Sequence, residues 1–287
     1  MVDEQQEESP FVRSMSTRVD RRTTAYAAAV DQFLARPLAE RRRIGEQRLL
    51  DSFTGHVESV LAQYDPPGVR RRSDSLVFGR IYASGHSDTP LVTDGDQPTV
   101  SPHLLAALLA AEIEFRGPLR LSRTQNRQLA EVYERIGDTM MRVLPGHAAL
   151  AFRRAASLYR QDEDVDADDR CSLNLSRARR RAQPVRWRRI GSLFPDLLCG
   201  YGYRPFRMLG WIALQVLLCF AVVRQLSDAP TIEIVYDCLV NYLNPLGPGD
   251  TAGLAGAQKL VFGVEAYAGA VTMSVFFALL VRRWFRL

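Results

Sequence analysis

Histidine and cysteine are scarce in this chain, four of each in 287 residues, and neither type gathers at a spacing that makes a site. Cys171, Cys199, Cys219 and Cys238 include no pair at the short separation of a zinc or redox motif. They are expected to serve as packing residues, without an intrachain disulfide. His56, His86, His103 and His147 stand apart from cysteines and paired carboxylates, which suits satisfied surface or core imidazoles better than metal ligands. A phosphate loop is missing too, because Gly200 and Gly202 run into Pro205 and an apolar stretch. The acidic run Asp162, Glu163, Asp164, Asp166, Asp168 and Asp169 lacks the glycine and closing glutamate of a calcium loop and is expected to be a solvated turn. No catalytic constellation remains, so the chain is expected to be a non-enzyme without a cofactor. Residues 1–10 are acidic and glutamine-rich, with no apolar core of the secretory kind. The N-terminal part is therefore expected to stay in the cytoplasm.

What the chain does have is two apolar runs near its C-terminus, 208–223 and 260–281. The second is long enough to cross a bilayer, and the first reaches that length when its flanking residues are added. Arg177, Arg179, Arg180, Arg181, Arg186, Arg188, Arg189, Arg204 and Arg207 precede the first run, and Arg282, Arg283 and Arg286 follow the second. The connection of about three dozen residues holds only Arg224 and Lys259. By the positive-inside bias, both ends of this hairpin face the cytoplasm, giving a multi-pass protein of the cell membrane. The net charge of +5 is concentrated beside the hairpin, where each basic residue gains about 1 kcal/mol against anionic lipid. Anionic headgroups are thus the expected partner of the basic cluster Arg177, Arg179, Arg180, Arg181, Arg186, Arg188 and Arg189. No groove-reading element points to nucleic acid.

The remainder is expected to be mainly α-helical. Residues 1–22 are polar and are assigned to a disordered tail. Residues 23–182 form the cytoplasmic helical domain. From Thr24 to about Tyr64 the chain reads as helix, with Ile44, Leu49, Leu50, Phe53, Val57 and Val60 recurring at helical spacing, a break near Pro37 and an end at Pro66-Pro67-Gly68. Residues 69–100 mix short apolar groups with Gly, Asp, Ser and Thr and suggest short strands or an ordered loop. Ser101-Pro102 starts another helix, since serine caps and proline suits the first turn. Its run Leu104, Leu105, Leu108, Leu109 and Ile113 is too short to span and is expected to be a buried core helix.

Leu129-Ala130 with Tyr133, then Ala148, Phe152 and Ala155, resembles one tetratricopeptide repeat, in which small residues let two antiparallel helices approach and aromatics fill the gap. Ala130 departs from the family's glycine, and 139–146 is longer than its usual connection. A further helix, 166–181, presents Cys171, Leu173 and Leu175 as a following half-repeat, so that the tetratricopeptide-like part covers 128–182. Because a lone repeat cannot bury its face, either degenerate repeats precede it or the domain is a helical bundle with a coincidental pattern. A peptide or protein partner is what the repeat resemblance implies.

Residues 183–206 form a basic linker, where Ile190, Leu193, Phe194, Leu197 and Leu198 suggest an interfacial helix with Pro195 in its first turn or at a kink. The segment Cys199-Gly200-Tyr201-Gly202-Tyr203-Arg204-Pro205-Phe206, a first span, a short helix at about 231–243, a G-x-G-D loop and a glycine-bearing second span resemble the pore domain of two-transmembrane potassium-channel-like proteins. The likeness covers residues 207–287 and the segment before them. It implies a re-entrant loop, a homotetramer and passage of a monovalent cation. In that family the short helix aims its C-terminal dipole at the ion, and backbone carbonyls replace its hydration shell.

Pro245, Leu246, Gly247, Pro248, Gly249 and Asp250 fall on the family's T-V-G-Y-G-D filter. Gly247, Gly249 and Asp250 match, whereas Pro245 and Pro248 replace the threonine and the bracing aromatic and remove backbone donors. The implied permeation is therefore non-selective or degenerate. Glu265, an ionisable group inside a span, is expected either to hydrogen-bond the 241–244 region, with Asn241 in the pore support, or to reach water at the interface. Gly269 marks either a bend or a close-packing face with Ala266 and Ala270. The competing expectation is a membrane-tethered adaptor whose helical domain binds peptides and whose hairpin does not conduct.

Overall fold

The computed structural model describes residues 9–64, 75–87, 99–184, 193–201, 203, 206–227, 229–244 and 256–285. They fall into two compact units, Met1–Ile190 and Gly191–Leu287. All regular structure among the described residues is helical.

The first unit begins with α1 (Pro10–Leu34), capped by the Ser9 hydroxyl on the Val12 amide with proline at the first turn. Residues 10–22, expected to belong to a disordered tail, are therefore helical. Met15, Val19, Thr23, Tyr26, Val30 and Leu34 form one buried stripe at three- to four-residue spacing. The stripe is flanked by charged residues that lower the local hydropathy and hide it. Pro37 precedes α2 (Leu38–Ile44), and Gly45, at φ 72°, separates it from α3 (Gln47–Leu61). Only glycine adopts that φ without strain. Where short strands or a loop were expected in 69–100, the described part contains α4 (Gly79–Ser87). Val77 and Phe78, in the turn just before α4, and Tyr82 within it are buried.

Helix α5 (Pro102–Arg116) starts at a Ser101 cap and is buried continuously from Leu104 to Glu114, as a core helix requires. Two carboxylates come with it. Glu112 accepts Arg154 Nε and Nη2 at 2.8 and 3.0 Å and the Tyr133 hydroxyl at 3.1 Å. Glu114 accepts the Val77 amide at 2.6 Å and the Tyr82 hydroxyl at 2.9 Å. Burial pushes both phenols well above their ordinary value, so both stay neutral donors. Buried charges are tolerated only when paired and hydrogen-bonded, and these two fasten α5 to its neighbours on either side.

Helices α6 (Arg123–Met140), α7 (Pro145–Gln161) and α8 (Val165–Ala182) complete the unit. A capping box at Ser122 and Gln125 starts α6, and the Asp164 side chain caps α8. Arg123 pairs with Asp162, Glu134 accepts the Tyr159 hydroxyl, and Gly137 faces Phe152, so α6 and α7 run antiparallel. Helix α8 packs against α7, and its Asn174 and Arg170 reach Asp138 and Glu134 on α6. Gly137, about two turns beyond the buried Ala130, is a close-approach position, where an added Cβ would lie 2.9 Å from the Phe152 ring. The acidic turn is structural: Asp162 and Asp168 pair with arginines, and Asp164 is a cap.

The second unit contains α9 (Leu193–Cys199), α10 (Arg207–Leu226), α11 (Thr231–Leu243) and α12 (Gly256–Phe285). Pro195 sits in the first turn of α9, and Gly200, at φ 56°, closes it by donating its amide to the Asp196 carbonyl at 3.0 Å. Arg207–Leu226 and Gly256–Val281 are long and apolar enough to cross a membrane, and only 11% and 22% of their apolar windows are buried within the unit. Helix α11 packs against both.

Candidate functional site

Three sequence-predicted residues of the hairpin, Asn241, Glu265 and Gly269, come together where α11 meets α12. On α11, Cys238, Asn241 and Tyr242 share a face at spacings of three and four and are all buried. On α12, Glu265, Gly269 and Thr272 form the facing row. Asn241 Nδ2 donates to Glu265 Oε2 and to the Phe262 carbonyl, each at 2.8 Å. Gly269 is a close-packing position: a Cβ there would lie 2.6 Å from the Tyr242 carbonyl oxygen. The missing side chain therefore sets how near α11 lies to α12.

Helix α10 closes the third side. Gln215 Oε1 accepts the Tyr242 hydroxyl at 2.6 Å and the Thr272 hydroxyl at 3.2 Å. Four residues on, Cys219 lies with its Sγ 3.8 Å from Cys238 Sγ. Gln258 Nε2 adds a bond to the Leu226 carbonyl at 2.9 Å. Gln215, Tyr242 and Thr272 were not singled out in the sequence, and Cys219 was expected only as a packing residue. Their signal was there as polar or thiol groups at helical spacing within apolar runs, but pairing across helices separated by tens of residues has no local trace.

The residues aligned with a filter, Pro245, Leu246, Gly247, Pro248, Gly249 and Asp250, lie outside the described residues, as do Arg186, Arg188 and Arg189 of the basic cluster. Arg177, Arg179, Arg180 and Arg181 lie in the C-terminal part of α8. Positive charge there complements the negative end of the helix dipole, a structural role that needs no lipid. Asp166 and Asp168 in the first turn do the same at the other end.

In the first unit, a cavity of about 370 Å³ is lined by Arg41, Arg42, Arg142 and Arg181 together with Phe33 and Glu46. Arg41 Nε is buried there without a hydrogen-bond partner. His147, one of the isolated histidines, is fully buried and satisfied: Nδ1 lies 2.8 Å from Glu46 Oε2 and Nε2 meets the Tyr26 hydroxyl. It joins α1, the start of α3 and α7 as a core polar link.

No family model matches the chain, and neither a curated protein nor a solved structure matches it.

Proposed function

We propose that the protein is an integral membrane protein whose second unit is a channel-like hairpin, assembled as a homotetramer and passing monovalent cations with little selectivity. The observation that carries this reading is a short helix held between two span-length helices by buried polar contacts, Asn241 with Glu265 and Tyr242 with Gln215. Polar groups within a bilayer are costly unless satisfied, and a helix too short to cross has its reason in presenting the chain that follows it, 245–250. Apolar faces left exposed on both long helices, including Leu217, Leu218, Leu260 and Val264, suit lipid and neighbouring copies. In this account the arginines before the hairpin face the cytoplasmic leaflet and its anionic headgroups, both termini lie in the cytoplasm, and the helical domain regulates the pore.

The test is cation flux through proteoliposomes holding the full-length protein. Wild type is expected to pass potassium and sodium alike, and Gly247→Val to abolish the flux while the protein still inserts and keeps its helical content. Unchanged flux in that variant would remove 245–250 from the pathway.

A second reading, a membrane-tethered adaptor with a non-conducting hairpin, draws support from the arginine-lined cavity of the first unit, whose chemistry fits an acidic peptide. Flux indistinguishable from empty vesicles, together with saturable binding of an acidic peptide lost in Arg41→Ala, would favour it.

A further inference from the structure

Three potential metal ligands converge inside the hairpin, one from each of its helices. Cys219 comes from α10, Cys238 from α11 and Glu265 from α12, and a ligand atom of each lies within 4.8 Å of the others. All three are buried, Cys238 completely. We propose that Cys219, Cys238 and Glu265 form a binding site for a divalent cation of the zinc class.

The spacing of the two sulfurs fits a tetrahedral ion. Two thiolates on one tetrahedral zinc, each at about 2.3 Å from the ion, stand about 3.8 Å apart. The two sulfurs here are 3.8 Å apart. A linear two-thiolate ion of the copper(I) type needs a wider gap, so the spacing favours the tetrahedral ion.

The electrostatics point the same way. Glu265 is 95% buried, and although Oε2 accepts from Asn241, Oε1 has no hydrogen-bond partner. The Cys219 thiol beside that carboxylate is only a weak donor, so the buried oxygen is costly, and a cation removes that cost. Asn241 supports the site: its amide donates to the carboxylate and to the Phe262 carbonyl, holding the carboxylate in place as groups around metal ligands do, and its Oδ1 is also buried without a partner. A cavity of about 390 Å³ lined in part by Cys219 and Glu265 adjoins the site.

Binding converts two thiols and one carboxylate into a complex of charge −1, and the two thiol protons leave to solvent. One ion would then tie the short helix to both long helices at once. Sequence spacing concealed the set, since its members are separated by 19 and 27 residues. The site rests on packing within the hairpin and does not require that the hairpin conduct.

The test uses full-length protein, reduced, stripped of metal and held in nanodiscs, titrated with Co²⁺. One Co²⁺ per chain is expected, with thiolate-to-cobalt charge-transfer absorption and the visible bands of a tetrahedral ion, displaced by one equivalent of Zn²⁺. Cys219→Ser and Cys238→Ser are each expected to lose the charge-transfer band in whole or in large part, Asn241→Ala to bind about 10- to 100-fold more weakly, and Cys199→Ser to bind as wild type does. The wild-type titration stands even if a variant fails to fold. Folded, reduced wild type without the charge-transfer band would overturn the site, as would a band that persists in the double variant Cys219→Ser/Cys238→Ser. Binding of copper(I) with no response to Co²⁺ or Zn²⁺ would overturn its zinc-class assignment.

Discussion

Individual glycines separate packing from propensity. Gly55, inside α3, has nothing within 4 Å of where a Cβ would sit, so Gly55→Ala gains helix propensity at no steric cost and should stabilise the domain by about 0.5–1 kcal/mol. Gly137 looks the same in sequence, a glycine inside a helix, but its Cβ would meet the buried Phe152 ring at 2.9 Å. There the same propensity gain is set against overpacking of about 1–3 kcal/mol, and Gly137→Ala should be destabilising. Thermal unfolding of the two variants beside wild type checks both signs.

Glu134 supplies a pH-dependent contribution at the same scale. The hydrogen bond from Arg170, whose Nη2 lies 3.0 Å from Oε2, holds its carboxyl below the ordinary value of 4.5 despite partial burial. A depressed folded value means that the contribution is present above pH 4.5 and is lost as pH falls through the lower folded value. Wild type should therefore be more stable than Glu134→Gln at neutral pH, with the gap closing in acid. Denaturant midpoints of the two proteins from pH 7 down to pH 3 measure it, and a gap independent of pH would contradict the assignment.

At the scale of elements, legibility followed how local the signal was. The start of α5 at Ser101-Pro102 and its burial were readable, because cap, proline and apolar run all lie within fifteen residues. The two span-length helices were readable from length and hydropathy alone. The first half of α1, residues 10–22, was not, because its buried Met15 and Val19 are diluted by arginines and threonines, and only packing of α1 against α3 and α5 gives them a partner. In the hairpin, Asn241, Glu265 and Gly269 stood out singly as a polar group, an acid and a glycine in apolar company. Their meeting with Gln215, Cys219 and Tyr242 depends on how three helices pack, which no window of sequence contains.

Packing at Gly269 gives this scale its prediction. Its Cβ would press on backbone, the Tyr242 carbonyl oxygen at 2.6 Å, and backbone cannot swing aside as a side chain can. Gly269→Ala should push α11 off α12 and destabilise the hairpin by about 1–3 kcal/mol. Gly263→Ala, six residues away on the same helix with open space around it, should leave it unchanged. Thermal melting of both variants in nanodiscs distinguishes a close-packing glycine from one that is merely tolerated.

Over the whole molecule, the central claim is that the hairpin is a subunit of a pore. Polar contacts hold the inward face of α11 to its own hairpin, while large apolar side chains such as Ile232, Tyr236 and Leu243 remain exposed on the helix. A helix too short to span, with one face bound to its own hairpin and another apolar face open, is suited to meet the same helix in other copies around an axis. The measurement that tests this most directly is the mass of the intact protein in nanodiscs and in mild detergent. The account predicts four copies per particle in both; a monomer or dimer that persists across lipid and detergent choice would contradict it.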